Sequence, residues 1–475
     1  MIFRKPQRLH FVGIGGIGMS GIAEVLLNLR VRVTGSDLHA GPIIERLRSL
    51  GGEVWIGHDP AHVRGADAVV ISGAVRSDNP EVVEARRLRI PVLPRAEMLA
   101  ELMRLKFGVA VAGSHGKTTT TSMLAQVLSA AGLDPTLVIG GRLNILGSNA
   151  RLGSGELMVV EADESDGSFL HLAPAMAVVT NIDREHLDHY EDFASLQRAF
   201  TDFLNKVPFY GLGVVCADDP GVRAILPRLE RRHLTYSLEA EADLRARDLR
   251  AEARAVVYRL ERRGEILGEV RLQVPGRHNV ANSLAAAAVA LELGVEPGVL
   301  INSLSQFSGA DRRLQARGEA AGVLVVDDYG HHPTEIRATL AAARDHWARR
   351  IIVLFQPHRY TRVAALQEEF AACFDGAAVV IATEIYPAGE RPIPGVSGAG
   401  LAERIGRRHG GEVVPVRDVA EAVDEALRRA QPGDLLLTLG AGDISKAADL
   451  LLQRLTSDRD PGRKPAGRAR VEGVA

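Results

Sequence analysis

Residues 108–121 read GVAVAGSHGKTTTT, and the architecture of the chain follows from them. Small apolar residues run into Gly113, Gly116 follows, and Lys117-Thr118 opens a segment with helical character. Glycines at these places let backbone N–H groups approach phosphate oxygens, and a helix N-terminus adds partial positive charge. The expectation is strand, phosphate loop, helix, with Lys117 reaching terminal phosphates and the Thr118 hydroxyl ligating Mg²⁺. Val111 stands where the usual motif carries its first glycine, which leaves a shortened G-x-x-G-K-T.

Working outward, a metal-bound phosphate needs acids from neighbouring strands. LMVVEADESDGSF (157–169) places Glu161 at the end of an apolar run, and VVTNIDREHLDHY (178–190) leaves Asn181, Asp183, His186 and Asp188 near the same sheet edge. Read alone, either cluster serves equally well as helix caps. Downstream of a phosphate loop they become expected Mg²⁺ ligands, because a buried strand rarely ends in such acids without a cation. VGIGGIGMSG (12–21) holds G-x-G-x-x-G at Gly13, Gly15 and Gly18, and Asp37 lies roughly 20 residues on. That pattern fits a pyrophosphate at a helix N-terminus with an acid near a ribose or base, so a dinucleotide and a UDP-sugar satisfy it equally.

Two further segments, VVDDYGHHPTEI (325–336) and LFQPHRYTRV (354–363), set His, Arg, Tyr and Asp just past apolar strands. Arg359 and Arg362 suit a carboxylate or phosphate held by paired donors. His331 and His332 can be read as a metal site. Adjacent residues seldom both face one ion, which favours hydrogen bonding for at least one of them.

Short apolar runs alternate with helical segments along most of the chain, the mark of βαβ units. Three such series are expected to form three α/β domains: a Rossmann-like domain over 1–105, a central P-loop ATPase-type domain with a small antiparallel β portion over 106–310, and a second Rossmann-like domain over 311–456. The antiparallel portion is expected around Arg263-Gly264 within 253–275, and a helix over 279–293. Residues 457–475, rich in Arg, Gly and Pro, read as a flexible tail.

Of 475 residues, 46% are hydrophobic and 24% charged, and 57 basic residues nearly cancel 59 acidic ones. No block of like charge points to nucleic acid or an anionic membrane; residues 228–232 read as a solvated helix face. Two cysteines, Cys216 and Cys373, argue against a disulfide framework. The N-terminus lacks the apolar core of a signal peptide, and no stretch approaches the roughly 18 apolar residues of a membrane span. A cytoplasmic enzyme without membrane insertion is expected.

GSHGKTTT, EADESDGSF, TNIDREHLDHY, PGRHNVANSLAA (275–286), DDYGHHPTEI, QPHRYTR and LTLGAGDI (437–444) occur in one order over about residues 8 to 455 and together resemble the Mur ligases. The resemblance implies ATP-dependent amide-bond formation through an acyl phosphate. It implies UDP-N-acetylmuramate and L-alanine as substrates, with a tripeptide in place of alanine as the alternative acceptor; GIGGIGMSG favours alanine. By resemblance, ATP is held by Gly113, Ser114, His115, Gly116, Lys117, Thr118, Thr119, Asn279, Arg313 and Asp328. The UDP-sugar is held by Gly15, Gly16, Ile17, Gly18, Asp37 and Ser72. Tyr329, His331, His358, Arg359 and Arg362 fall near the muramate carboxylate and amino acid, and Lys117, His331, Arg359 and Arg362 carry the catalytic roles. Two Mg²⁺ ions are implied, one near Thr118 and Glu161, the other near His186. Several members carry a carbamylated lysine on the following helix; here it reads LQRAFTDFLNKV (196–207), and Lys206 lies too far along to replace it. No carbamylation is expected, and a monomer or weak homo-oligomer is.

Overall fold

The computed structural model describes residues 8–139, 150–186, 189–252 and 255–457. Asp188, the 458–475 part of the expected tail and the side chain of Ile17 lie outside the described residues. The chain divides into two compact units, one ending at Asp311 and the other beginning at Arg312.

The first unit contains two sheets. Strands β1 (Arg8–Val12), β2 (Arg32–Asp37), β3 (Glu53–Ile56), β4 (Ala68–Ile71) and β5 (Val92–Pro94) form a parallel sheet in the order β3-β2-β1-β4-β5. The chain reverses direction across the sheet at β1, whose neighbours are β2 and β4. Such a switch point opens a crevice beyond the strand ends. The glycine turn after β1 and the Ser72 turn after β4 lie there.

The second sheet holds β6 (Phe107–Ala112), β7 (Thr136–Val138), β8 (Ala150–Arg151), β9 (Leu157–Glu161), β10 (Met176–Val179), β11 (Leu212–Cys216), β12 (His233–Ser237), β13 (Leu244–Glu252), β14 (Ala255–Arg262) and β15 (Glu265–Leu272). Their order is β15-β14-β13-β12-β11-β10-β6-β9-β7-β8. β6 is thus flanked by β10 and β9, the strands that carry the acidic clusters. Val109 and Val178 on one face and Val160 and Val179 on the other are fully buried, as expected for parallel strands covered on both faces. The antiparallel portion turns at Arg263 and Gly264, both with positive φ, in a two-residue hairpin. It is larger than the sequence suggested. β13, reading LRARDLRAE, also belongs to it, and its charged residues hide the alternation. Helix Arg277–Glu292 is buried over most of its surface, and its alanines admit close packing against the sheet.

The second unit carries β16 (Gln315–Ala320), β17 (Val323–Asp328), β18 (Ile351–Phe355), β19 (Val379–Ala382), β20 (Glu412–Pro415) and β21 (Leu435–Leu439), ordered β16-β17-β21-β18-β19-β20. All pairs are parallel except β16 with β17. Two hydrophobic clusters fill it, one on each face of the sheet.

Residues 228–232 are not a helix face. They leave a 3-10 turn at Arg228 and run as an irregular connection into β12, with Glu230, Arg231 and Arg232 exposed. No helix among the described residues is long and apolar enough to cross a membrane.

Candidate functional site

The loop between β6 and helix Lys117–Ala130 needs glycine at both ends. Gly113 has φ +126, and a Cβ there would stand 2.1 Å from Thr180 Oγ1. Gly116 has φ +83, and a Cβ would stand 2.4 Å from Asn282 Oδ1. The loop is held by the strand beside it. The Asn181 amide accepts from the His115 N–H at 2.8 Å and donates to the His115 carbonyl at 3.0 Å, while Thr180 Oγ1 donates to the same carbonyl at 2.6 Å. Asp183 pairs with His115 Nε2 at 2.9 Å. Asn181 and Asp183, read from the sequence as candidate Mg²⁺ ligands, therefore scaffold the loop. The helix begins without a side-chain cap, so its first N–H groups point into the loop's concavity, the arrangement that binds phosphate.

Thr118 and Glu161 meet: the threonine hydroxyl donates to the two carboxylate oxygens at 3.0 and 3.1 Å. The parallel register of β6 with β9, which sets Val111 opposite Glu161, brings this about. Lys117 turns back on its own loop, donating to the carbonyls of Gly113 at 2.6 Å and Ser114 at 3.2 Å and to Glu164 at 2.8 Å. Burial alone would lower the pKa of this ammonium, but the facing charges of Glu164 and Asp163 overcome it and raise it. Burial pushes the Glu164 carboxyl up to about 7 against the pull of Lys117.

Glu164 is the residue that sequence reading passed over. Its side chain is fully buried, and Oε2 has no hydrogen-bond partner among the described residues. His186 Nε2 stands 3.7 Å from its other oxygen and 3.9 Å from Glu185. One ligand atom each from Glu164, Glu185 and His186 falls within a 4.8 Å span, spacing that suits a divalent cation. His186 adopts a left-handed backbone, φ +57, which aims its ring back toward the acids. Asn282, three residues past Asn279, was also passed over. It accepts from Thr120 Oγ1 at 3.2 Å, whereas Asn279 is buried and donates to the Pro275 carbonyl at 2.7 Å. Lys206 sits at the C-cap of helix Phe193–Asn205 and donates to the Leu170 carbonyl.

In the first sheet, Asp37 accepts from the Gly15 N–H at 2.8 Å, and a Cβ on Gly15 would lie 2.8 Å from that carboxylate. Ser72 Oγ lies 3.7 Å from where a Cβ on Gly13 would be. Helix Ile17–Asn28 starts at Gly16 without a side-chain cap, so the backbone at Ile17 and Gly18 supplies open N–H groups. Arg95, absent from the sequence reading, packs over this start; a Cβ on Gly18 would come 3.0 Å from its guanidinium, and Arg95 also faces Asp163 at 3.6 Å. The turn thus gathers donors and one cation suited to a diphosphate.

In the second unit, Tyr329 lies under two guanidinium groups, Arg312 at 5.0 Å and Arg313 at 5.2 Å from the ring centroid. Asp328 is buried and accepts from the N–H groups of Leu314 and Gly330, both at 2.7 Å, which fixes the turn carrying Arg313. His332 caps helix Pro333–Trp347 with Glu335, and His331 Nδ1 lies 3.0 Å from the Tyr329 carbonyl, so both histidines hydrogen-bond. Arg359 holds a left-handed backbone at φ +67 ahead of the short helix Tyr360–Ala365, and Arg362 donates to His358 Nδ1 at 3.3 Å. Burial, followed by the charges of Arg362 and Arg359, lowers His358 to about 4.

Three α/β sheets, with a phosphate loop at the switch point of the central one and acids converging on its threonine and lysine, define a nucleotide-dependent α/β enzyme. Residues 8–107 match the family model described as Mur ligase family, catalytic domain, residues 111–290 the Mur ligase middle domain, and residues 312–442 the Mur ligase, glutamate ligase domain. The chain belongs to the Mur ligase family. The UDP-N-acetylmuramate–L-alanine ligase of Geotalea daltonii is 54% identical over 454 residues, covering 96% of this chain and 99% of that protein. That of Solibacter usitatus is 56% identical, covering 96% and 97%. Among solved structures, the UDP-N-acetylmuramate–alanine ligase of Thermotoga maritima superimposes with a TM-score of 0.80 at 29% identity, covering 95% of this chain and 99% of that one. A murein peptide ligase of Psychrobacter arcticus follows with a TM-score of 0.68 at 25% identity.

Proposed function

We propose that the chain joins L-alanine to the carboxylate of UDP-N-acetylmuramate at the expense of ATP, giving the amide, ADP and phosphate for peptidoglycan precursor synthesis. The observation that carries this reading is the meeting of Lys117, Thr118, Glu161 and Glu164 at one phosphate loop, in a chain more than half identical to relatives named for this reaction. The same relatives favour alanine over a tripeptide as acceptor.

A carboxylate is a poor nucleophile toward a polyanion, so charge on the transferring phosphoryl group has to be neutralised. Lys117 supplies one cation, and the N–H groups opening helix Lys117–Ala130 supply aligned dipoles. A carboxylate oxygen of the muramate attacks the γ-phosphorus, and ADP leaves. The alanine amine adds to the acyl phosphate carbon, and the tetrahedral adduct collapses to amide and inorganic phosphate. Arg359 and Arg362 suit the carboxylates of the two acids, and His331, whose ring meets that of His358 at 5.6 Å, would take up an amine proton. Gly15, Gly16, Ile17, Gly18, Asp37 and Ser72 hold the UDP-sugar, with Arg95 on its diphosphate. Asn279, Arg313 and Asp328 complete the ATP contacts.

The donor set fits two Mg²⁺ ions. Thr118 and Glu161 would hold one; His186 with Glu164 and Glu185 would hold the other. Bound there, Mg²⁺ would neutralise phosphate charge. Domain limits at 105 and 310 are read with this assignment, and dependence on ATP favours the cytoplasm. The test is phosphate release with ATP, UDP-N-acetylmuramate and a panel of amino acids. Release that needs all three substrates and peaks with L-alanine is expected. Release independent of either acceptor, or greater with a tripeptide, would refute the assignment.

A further inference from the structure

The second unit presents a row of four rings past the carboxyl ends of β17, β18 and β19. Tyr329 and His331 meet edge to face at 5.3 Å, and His331 and His358 at 5.6 Å. His358 and Tyr386 then stack at 5.6 Å with planes 8° apart. The family resemblance sets three of these rings, Tyr329, His331 and His358, near the muramate carboxylate and the amino acid. Tyr386 is the fourth, and no motif in the sequence pointed to it.

Its position is fixed from several sides. The Tyr386 N–H donates to the Pro357 carbonyl at 2.8 Å, and its carbonyl accepts from the Arg359 N–H at 2.9 Å, so it is tied to the strained arginine. Beneath the ring lies Gly442 of the LTLGAGDI segment, where a Cβ would come 2.7 Å from Tyr386 Cγ and 2.3 Å from Gln356 Oε1. Gln356 locks that segment, donating to Asp443 at 2.8 Å and accepting from the Ile444 N–H at 3.1 Å. A glycine is needed there because the ring passes directly over it. The core tyrosines Tyr236 and Tyr258 are 1% and 0% exposed, whereas Tyr386 keeps 37% of its surface open. A ring held in place by its neighbours with 37% of its surface open presents area for a ligand to touch. Because Arg362 donates to His358 Nδ1, the backing imidazole carries its proton on Nε2.

We infer that Tyr386, backed by His358, is the wall of the amino-acid pocket and limits the acceptor's side chain to about the size of a methyl group. The inference rests on the proposed ligase function and adds to it the residue that sets acceptor size. A pocket wall that excludes one or two methylenes discriminates by roughly 10–200-fold in kcat/KM.

The experiment compares kcat/KM for glycine, L-alanine, L-2-aminobutyrate and L-valine, by phosphate release from the full chain with saturating ATP and UDP-N-acetylmuramate. Tyr386→Ala should lower the alanine-to-valine ratio at least about tenfold with KM for ATP unchanged, and Tyr386→Phe should keep the ratio of the unaltered chain. Tyr386→Trp narrows the pocket and should shift preference from alanine toward glycine, which carries the test should the alanine variant fold poorly. An unchanged ratio in Tyr386→Ala, a ratio lost equally in Tyr386→Phe, or an unchanged glycine preference in Tyr386→Trp overturns the wall. Absence of alanine-dependent release from the unaltered chain refutes the ligase reading itself, before any variant is compared.

Discussion

Lys117 has two tasks, one for the phosphate and one for Glu164. A fully buried carboxylate 2.8 Å from a partly buried ammonium is tolerable only while the pair is intact. Lys117→Ala is therefore expected to lower phosphate release by about 10³-fold and also to destabilise the fold, by up to about 3–5 kcal/mol if Glu164 stays ionised. Adding Glu164→Gln should restore the melting temperature without restoring turnover. Equal melting of Lys117→Ala and the unaltered chain would show that the pair has no structural role. Glu161 makes a separate prediction, because both its oxygens face the Thr118 hydroxyl. Glu161→Ala should raise the Mg²⁺ concentration for half-maximal phosphate release at least about tenfold; an unshifted Mg²⁺ titration would remove it from the metal site.

At the scale of elements, the first sheet and the helix Pro80–Arg87 packed on it are joined by one buried carboxylate. Glu81, in that helix's first turn, is 0% exposed and accepts from Ser36, from His58 Nδ1 at 3.1 Å and from His62 Nδ1 at 2.6 Å, while His10 Nε2 stands 3.6 Å away. Trp55 stacks on His62 at 4.4 Å and closes the cluster. Burial works to raise the Glu81 pKa, but His10, Ser36 and His62 outweigh it and bring the group to about 2 from its ordinary 4.5. The folded state thus binds its proton later than the unfolded chain does. The stability contributed by this carboxylate is complete above pH 4.5 and is lost as pH falls toward 2. Glu81→Gln should be less stable than the unaltered chain at pH 6, with the gap narrowing as urea melts are repeated from pH 4.5 downward. A gap that stays constant to pH 3 would contradict the assignment.

For the molecule as a whole, each of the two units owns its hydrophobic clusters: three lie within residues 9–307 and two within 314–455. A unit with its own core meets the main requirement for folding by itself. Residues 312–457 produced alone should give a cooperative melt with native α/β circular dichroism; a non-cooperative, dye-binding fragment would show that its core depends on the rest of the chain.

The sequence alone determined the features set by local backbone chemistry. Gly113 and Gly116 were legible because only glycine permits their φ values and close approaches; Gly15 and Gly18 were legible from the spacing of the turn. Lys117 and Thr118 were legible because a helix start fixes their spacing from the loop, and the buried strands because apolar runs mark them. Tertiary structure alone decided which distant side chains meet. Nothing near Glu164 in the chain announces Lys117, nothing near Arg95 announces Gly18, and Tyr386 is separated from Gly442 by more than fifty residues. The edge and antiparallel strands belong here too: β13 and β16 carry charges and little apolar pattern, and they are strands because neighbouring strands offer them unpaired N–H and C=O groups. Periodicity reports what a segment buries, but sheet register and packing determine what it touches.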